Sequence, residues 1–332
     1  MGLQIGRGIA ALLVVFHHIT LGSSTFYGDE LFNGFFEFGF IGVDFFFVLS
    51  GFIIYWVHSN DQQNISSGLI YLKKRLIRIY PPFILISIVL LLAYSLFPTL
   101  STNSRDIGVI TSLLLIPTPP LEPALTVSWT LMHEMLFYLI FISIFYNKKL
   151  FNMILFIWAI SIITVAFSSM GGVVRTFILN PHNLEFMFGI ISAVVIKNKK
   201  GKGYFLPLGL ILFTTYIYSY QHGYHSNINQ LFIKIYLGTT FMFTVIGLCN
   251  IDHKVKYPKF LIFIGAASYS IYLIHNPVIS ILNRIASKGL TYVEISPSII
   301  FILVSAFSIL SGIVYYLVWE KPMLKLLKNK FL

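Results

Sequence analysis

The stretch Lys73-Lys74-Arg75-Leu76-Ile77-Arg78-Ile79-Tyr80-Pro81-Pro82-Phe83-Ile84-Leu85-Ile86-Ser87-Ile88-Val89-Leu90-Leu91-Leu92-Ala93-Tyr94-Ser95-Leu96-Phe97 passes from four basic residues to a long apolar run. No charged side chain occurs between Tyr80 and Phe97. A helix of about 20 mainly apolar residues is what the hydrocarbon of a bilayer requires. Lysine and arginine are retained on the inner side of a membrane, so the basic end marks the face from which this helix enters. The pattern recurs along the chain. Spans are expected near 3–21, 39–57, 80–97, 129–146, 150–168, 183–197, 204–221, 231–249, 260–282 and 298–319. The run 107–116 is too short to cross and ends in Pro117, Pro119 and Pro120, which reads as a re-entrant or interfacial segment.

Working outward, 57% of the 332 residues are apolar and only 11% are charged. Soluble domains carry about 25% charged residues, so lipid must solvate much of this surface. The net charge of +11 would suggest nucleic acid in a soluble protein. Here the charge sits in short loops. Alternate loops and termini hold 18 basic residues: Arg7, Lys73, Lys74, Arg75, Arg78, Lys148, Lys149, Lys197, Lys199, Lys200, Lys202, Lys254, Lys256, Lys259, Lys321, Lys325, Lys328 and Lys330. The opposite set holds four, Arg105, Arg175, Arg284 and Lys288, while Lys234 lies within a span. That alternation predicts an all-α, polytopic transmembrane bundle of about ten spans, with N and C termini cytoplasmic and residues 1–332 forming a single domain. Leu3–Leu21 reads as an uncleaved first span, because the basic region and cleavage site of a secretory signal are missing. One cysteine, Cys249, allows no intrachain disulfide and reads as a small hydrophobe within a helix. The sequon at Asn64 falls in a loop expected inside, where it would not be glycosylated.

Ionisable groups within spans must face the bundle interior or a wet cavity, and they are functional candidates by default. Arg7 and His18 lie 11 residues apart, on one face of the first span and about 16 Å apart along it. A snorkelling arginine and a carbonyl-bonded histidine would be the structural explanation; for His17 that explanation is preferred. Asp44, set among aromatics in the second span, either orients a histidine, ties two helices together or acts in chemistry. Glu134, with Tyr138 one turn on, lies about 8–9 Å below the outer end of its span. Trp129 reads as an interfacial anchor. His275 shares a face with Tyr272 and Ser268, and Pro277 frees a carbonyl that a polar partner could use. Arg75 and Arg78 either report topology or form a two-pronged phosphate clamp at the inner mouth. The acid–base candidates His18, Asp44, Glu134 and His275 are thus expected in the outer half, and the phosphate binders Arg7, Arg75 and Arg78 at the inner mouth. No metal cluster is expected.

These segments resemble the acyltransferase-3 family of membrane-bound O-acyltransferases. Arg7-Gly8-Ile9-Ala10-Ala11 leading to His18 is similar to the family's arginine, ten residues, histidine signature. Gly42-Val43-Asp44-Phe45-Phe46-Phe47-Val48-Leu49-Ser50-Gly51-Phe52 resembles its second-span motif, and Arg75-Leu76-Ile77-Arg78-Ile79-Tyr80-Pro81 its paired-arginine motif. Ser128-Trp129-Thr130-Leu131 with Glu134, Phe137 and Tyr138 resembles a fourth. Weaker likenesses are Tyr269–Pro277 and Glu320-Lys321-Pro322. The pieces fall in family order along nearly the whole chain.

The resemblance implies an acyl-CoA donor, usually acetyl-CoA, taken from the cytoplasm as a substrate rather than held as a resident cofactor. It implies transfer to a hydroxyl of a glycan or lipid-linked glycan, such as O-antigen, capsule or exopolysaccharide, from the bacterial inner membrane. Some members carry a C-terminal hydrolase-like domain; a chain ending at Leu332 resembles the standalone kind. Arg75, Arg78 and Arg7 would hold the donor's phosphates. His18 would act as general base or as a covalent acyl relay, oriented by Glu134 or Asp44. Buried His, Asp and Glu residues also suit the proton path of a transporter or flippase. That rival predicts inverted repeats and discontinuous helices, and neither is visible in the sequence.

Overall fold

The computed structural model describes residues 1–27, 31–101, 105–252, 255–289 and 296–331. Lys254 lies outside the described residues. The α-helices among the described residues are α1 (Gly2–Tyr27), α2 (Gly42–His58), α3 (Ile65–Leu96), α4 (Val109–Leu114), α5 (Trp129–Phe141), α6 (Lys148–Ala166), α7 (Asn183–Lys197), α8 (Phe205–Gln221), α9 (Gln230–Ile251), α10 (Lys259–Gly289), α11 (Pro297–Tyr315) and α12 (Lys321–Phe331). No strand is found among the described residues. Nine helical stretches there are long and apolar enough to cross a membrane. The tenth expected span is α8, whose 17 residues fall just short of that length. Gln221 at its far end donates to the Phe35 carbonyl at 2.8 Å. At its near end Gly201 packs on Asn250.

Both termini lie at one end of the bundle. The Met1 ammonium pairs with Asp252 at 2.9 Å beyond α9, and Lys73 stands over the Phe331 ring at 5.2 Å. Lys197 bonds Ser59 Oγ at this same end. Lys73 and Lys197, two of the loop charges that defined the spans, therefore lie there.

Three expected boundaries differ. The helix expected to start at Tyr80 begins at Ile65, where the Asn64 side chain accepts from Ser67 N at 2.7 Å and caps it. Lysine and arginine are good helix formers, so nothing in 65–79 stops the helix. Arg75 and Arg78 consequently sit three to four turns into α3 rather than at its mouth. The run 107–116 contains only the short α4, which lies against α3: the Tyr80 hydroxyl, at mid-α3, donates to the Leu114 carbonyl at 2.9 Å. Finally, α5 starts inside the bundle. The Tyr272 hydroxyl, near the middle of α10, donates to the Val127 carbonyl at 3.1 Å.

Close helix approaches use glycine, as expected where lipid supplies no hydrophobic driving force. A Cβ on Gly51 would fall 2.0 Å from the Phe186 carbonyl oxygen, and one on Gly189 2.0 Å from that of Val48, so α2 and α7 touch backbone to backbone. Likewise α1 and α10 meet at Gly265, where a Cβ would lie 1.8 Å from the Gln4 carbonyl oxygen. Aromatic rings fill the space beside these contacts, with Phe137 stacked on Phe186 at 4.5 Å. The helices converging on this core enclose a polar cavity.

Candidate active site

A cavity of about 220 Å³ lies between α1, α2, α3, α5 and α10. Its polar wall carries Arg7, Arg75, Arg78, Ser50, Glu134 and Tyr138, and its apolar wall Val43, Phe46, Phe47, Leu131 and Tyr272. Glu134 thus shares one chamber with the three arginines, and the expected separation along the membrane normal does not hold for it. The reason lies in the helix starts: α3 begins early and α5 begins deep, which brings Arg75, Arg78 and Glu134 level.

Each arginine is held differently. Arg78 Nη1 pairs with Glu320 Oε1, and its guanidinium lies over the Tyr269 ring at 5.0 Å. Arg75 Nη2 donates to His58 Nε2 at 3.1 Å. His58 Nδ1 in turn meets Asp61 Oδ2 at 2.7 Å, so an Asp–His relay sets the arginine. Arg7 makes no hydrogen bond or ion pair among the described residues. Three guanidinium groups therefore face two carboxylates, Glu134 and Glu320. The cavity is left one positive charge in excess and is suited to an anion. Glu134 Oε1 accepts from Ser50 Oγ at 2.8 Å and from the Tyr138 hydroxyl at 2.5 Å, which fixes the carboxylate against the wall.

His18 and His275 form a pair beside this chamber. His275 is fully buried. Its Nδ1 lies 3.2 Å from the Ile271 carbonyl and its Nε2 lies 3.3 Å from His18 Nδ1. His18 Nδ1 also lies 2.9 Å from the Val14 carbonyl. One assignment satisfies all three contacts: both Nδ1 atoms carry the proton, and His18 shares its own between the Val14 carbonyl and His275 Nε2. His18 Nε2 then keeps its lone pair. Neither Glu134 nor Asp44 touches His18, contrary to the expectation that one of them orients it; His275 occupies that place. It does so from the Ile271 carbonyl, not from the one Pro277 frees. His17 Nδ1 binds the Glu37 carbonyl at 2.6 Å, the structural role preferred for it. Tyr272 separates pair from chamber. It lines the cavity, its ring centroid is 5.7 Å from that of His275, and its hydroxyl is 2.9 Å from Thr130 Oγ1.

Asp44 belongs to a second cluster. Lys234 Nζ lies 2.5 Å from Asp44 Oδ1. His182 Nδ1 lies 3.8 Å from that oxygen and 3.5 Å from Glu185 Oε2. Asp44, His182 and Glu185 present a ligand-like set, but the Lys234 ammonium already supplies Asp44 with a cation. Trp129 packs on His182 at 5.2 Å and on His133 at 5.7 Å. The indole nevertheless stays 38% exposed, so these contacts leave the expected anchoring role open to it.

Sequence reasoning missed Glu185, His58 and the role of Glu320. Glu185 stands in the apolar run 183–197, so the rule that singled out Asp44 could have found it. His58 and Glu320 sit at span ends, where polar residues draw no notice.

Fold and site define a polytopic membrane protein built around a buried, arginine-lined cavity with a histidine pair alongside. The chain belongs to the acyltransferase-3 family: the sequence model described as an acyltransferase domain matches residues 2–317. It is similar to the exopolysaccharide production protein ExoZ of Rhizobium meliloti (strain 1021), 29% identical over 326 residues covering 90% of this chain and 94% of that protein. No solved structure matches.

Proposed function

We propose that this protein transfers an acyl group, most simply acetyl from cytoplasmic acetyl-CoA, to a hydroxyl of an exported or lipid-linked polysaccharide. The observation that carries the reading is the meeting of Arg7, Arg75 and Arg78 with Glu134 in one cavity of a chain from an acyltransferase family. The likeness to an exopolysaccharide production protein supports a glycan acceptor. The basic end of the bundle is the cytoplasmic face on the loop-charge rule, which puts both termini inside, in the bacterial inner membrane.

In this reading the arginines hold the anionic part of the donor, and the pantetheine arm points toward Tyr272. The Tyr272 ring turns aside to bring the thioester to His18. His18 Nε2 takes the proton of the acceptor hydroxyl as its oxygen attacks the thioester carbon. The carbon–sulfur bond breaks, and the coenzyme A thiolate recovers that proton from His18. His275 fixes the imidazole, as the orienting group of a catalytic triad does. Glu134 keeps the arginine cluster from repelling itself and orders the chamber through Ser50 and Tyr138. Asp44 acts through structure, joining α2 to α9.

Protein reconstituted in lipid and given radiolabelled acetyl-CoA with a bacterial exopolysaccharide acceptor should yield labelled glycan and free coenzyme A in equal amounts. Glycan moved across the bilayer with no release of coenzyme A would instead point to a transporter and overturn the proposal.

A further inference from the structure

Glu320 ends the π-helical turn Tyr316–Glu320 and is fully buried. Both of its oxygens are engaged: Oε1 pairs with Arg78 Nη1, and Oε2 accepts from Ser270 Oγ at 2.5 Å. Arg78, by contrast, keeps 33% of its side chain exposed and lines the cavity. One edge of the guanidinium is therefore held by the wall while the rest faces the chamber.

The backbone beneath Arg78 needs such support. Pro81 and Pro82 have no N–H, so the carbonyls of Ile77 and Arg78 lose their helical donors. Three side chains grip the adjoining carbonyls from outside α3. Tyr269 donates to Ile79 at 2.9 Å, Trp319 Nε1 to Pro81 at 2.9 Å and Tyr315 to Pro82 at 2.6 Å. Two of these belong to the same short segment as Glu320. Residues 315–320 thus splint the weakest turn of α3 and also hold the side chain that projects from it.

We infer that Glu320 is a positioning residue for the donor: it fixes one edge of the Arg78 fork so that the other is presented, ready oriented, to the donor's anionic group. The inference rests on the acyl-CoA reading above. A fork already held in place loses less freedom on binding and can engage two anion oxygens at once. Two simpler roles make opposite predictions. If Glu320 merely neutralised Arg78, its removal would leave the cavity more positive and tighten anion binding. If it only joined α11 to α3, its loss would lower stability and leave donor affinity unchanged.

The test measures acetyl-CoA binding and steady-state kinetics for protein in lipid nanodiscs, with thermal unfolding as a check on folding. Glu320→Ala should weaken donor binding about tenfold to a hundredfold, as loss of a charge-assisted bond does. The KM for donor should rise accordingly, with kcat held within about threefold. Glu320→Gln keeps the shape without the charge and should lose less. In an Arg78→Lys background, which keeps the charge but not the fork, Glu320→Gln should add little further loss. That background also avoids stranding a buried carboxylate, which would threaten folding. Unchanged or tighter donor binding in folded Glu320→Ala, or fully additive losses in the Arg78→Lys background, would overturn the inference. Wild-type protein that fails to bind acetyl-CoA would overturn the donor reading as well, which separates the two failures.

Discussion

At His18 the geometry makes a definite chemical demand. Nδ1 is engaged by the Val14 carbonyl and by His275, so only Nε2 can take a proton. His18→Ala should therefore lower the transfer rate by about a hundredfold to ten-thousandfold, the usual worth of a general base, while acetyl-CoA affinity stays unchanged. Labelled glycan formation and donor binding, measured on the same preparation, check both halves. His275→Ala should lower the rate less, because it frees the ring without removing the base. Arg75 calls for a subtler experiment. Its guanidinium is oriented through His58 and Asp61, so His58→Ala should weaken donor binding about tenfold and leave kcat nearly intact. Equal donor KM values in the variant and wild type would remove the relay from the account.

Among the helices, two kinds of contact hold the cavity walls in register. The first is steric. Gly51 and Gly189 let α2 and α7 meet backbone to backbone, and Gly189→Ala would force the two apart. Overpacking of this kind costs about 1–3 kcal/mol, and with backbone as the obstructing atom the upper part of that range is expected, seen as a lowered Tm in detergent. The second is ionic. Asp44 on α2 and Lys234 on α9 are paired in the interior. Asp44→Asn removes the carboxylate bonded to the ammonium, a change worth about 3–5 kcal/mol when a buried pair is broken. Asp44→Leu combined with Lys234→Met should recover most of the lost Tm. A double variant no more stable than Asp44→Asn would show that the pair does more than join two helices.

For the molecule as a whole, the question is which end faces which compartment. The loop charges predict the basic end inside. Ser66 and Ser168 are exposed at opposite ends of the bundle, and Cys249 is the single native thiol. In a Cys249→Ser background, Ser168→Cys should react with a membrane-impermeant maleimide on intact spheroplasts. Ser66→Cys should react only after permeabilisation. The reverse pattern would place the arginine cavity toward the outside and remove a cytoplasmic donor from consideration.

The sequence alone determined that this is a helical membrane protein, because apolar length and loop charge are local properties that the bilayer reads directly. It also marked Arg7, His18, Asp44, Arg75, Arg78, Glu134 and His275, because an ionisable group in an apolar run is conspicuous whatever surrounds it. Which of these meet was decided only in three dimensions. Helix starts fix depth, and the starts of α3 and α5 depend on an asparagine cap and an inward loop that carry no periodic signal. That shift put Glu134 among the arginines, while the packing of α1 on α10 gave His18 a histidine for a partner and that of α2 on α9 sent Asp44 to Lys234. Glu320 and His58 escaped notice for the same reason: at a helix end a polar residue is ordinary, and only the packing of distant segments shows that it is buried and what it holds.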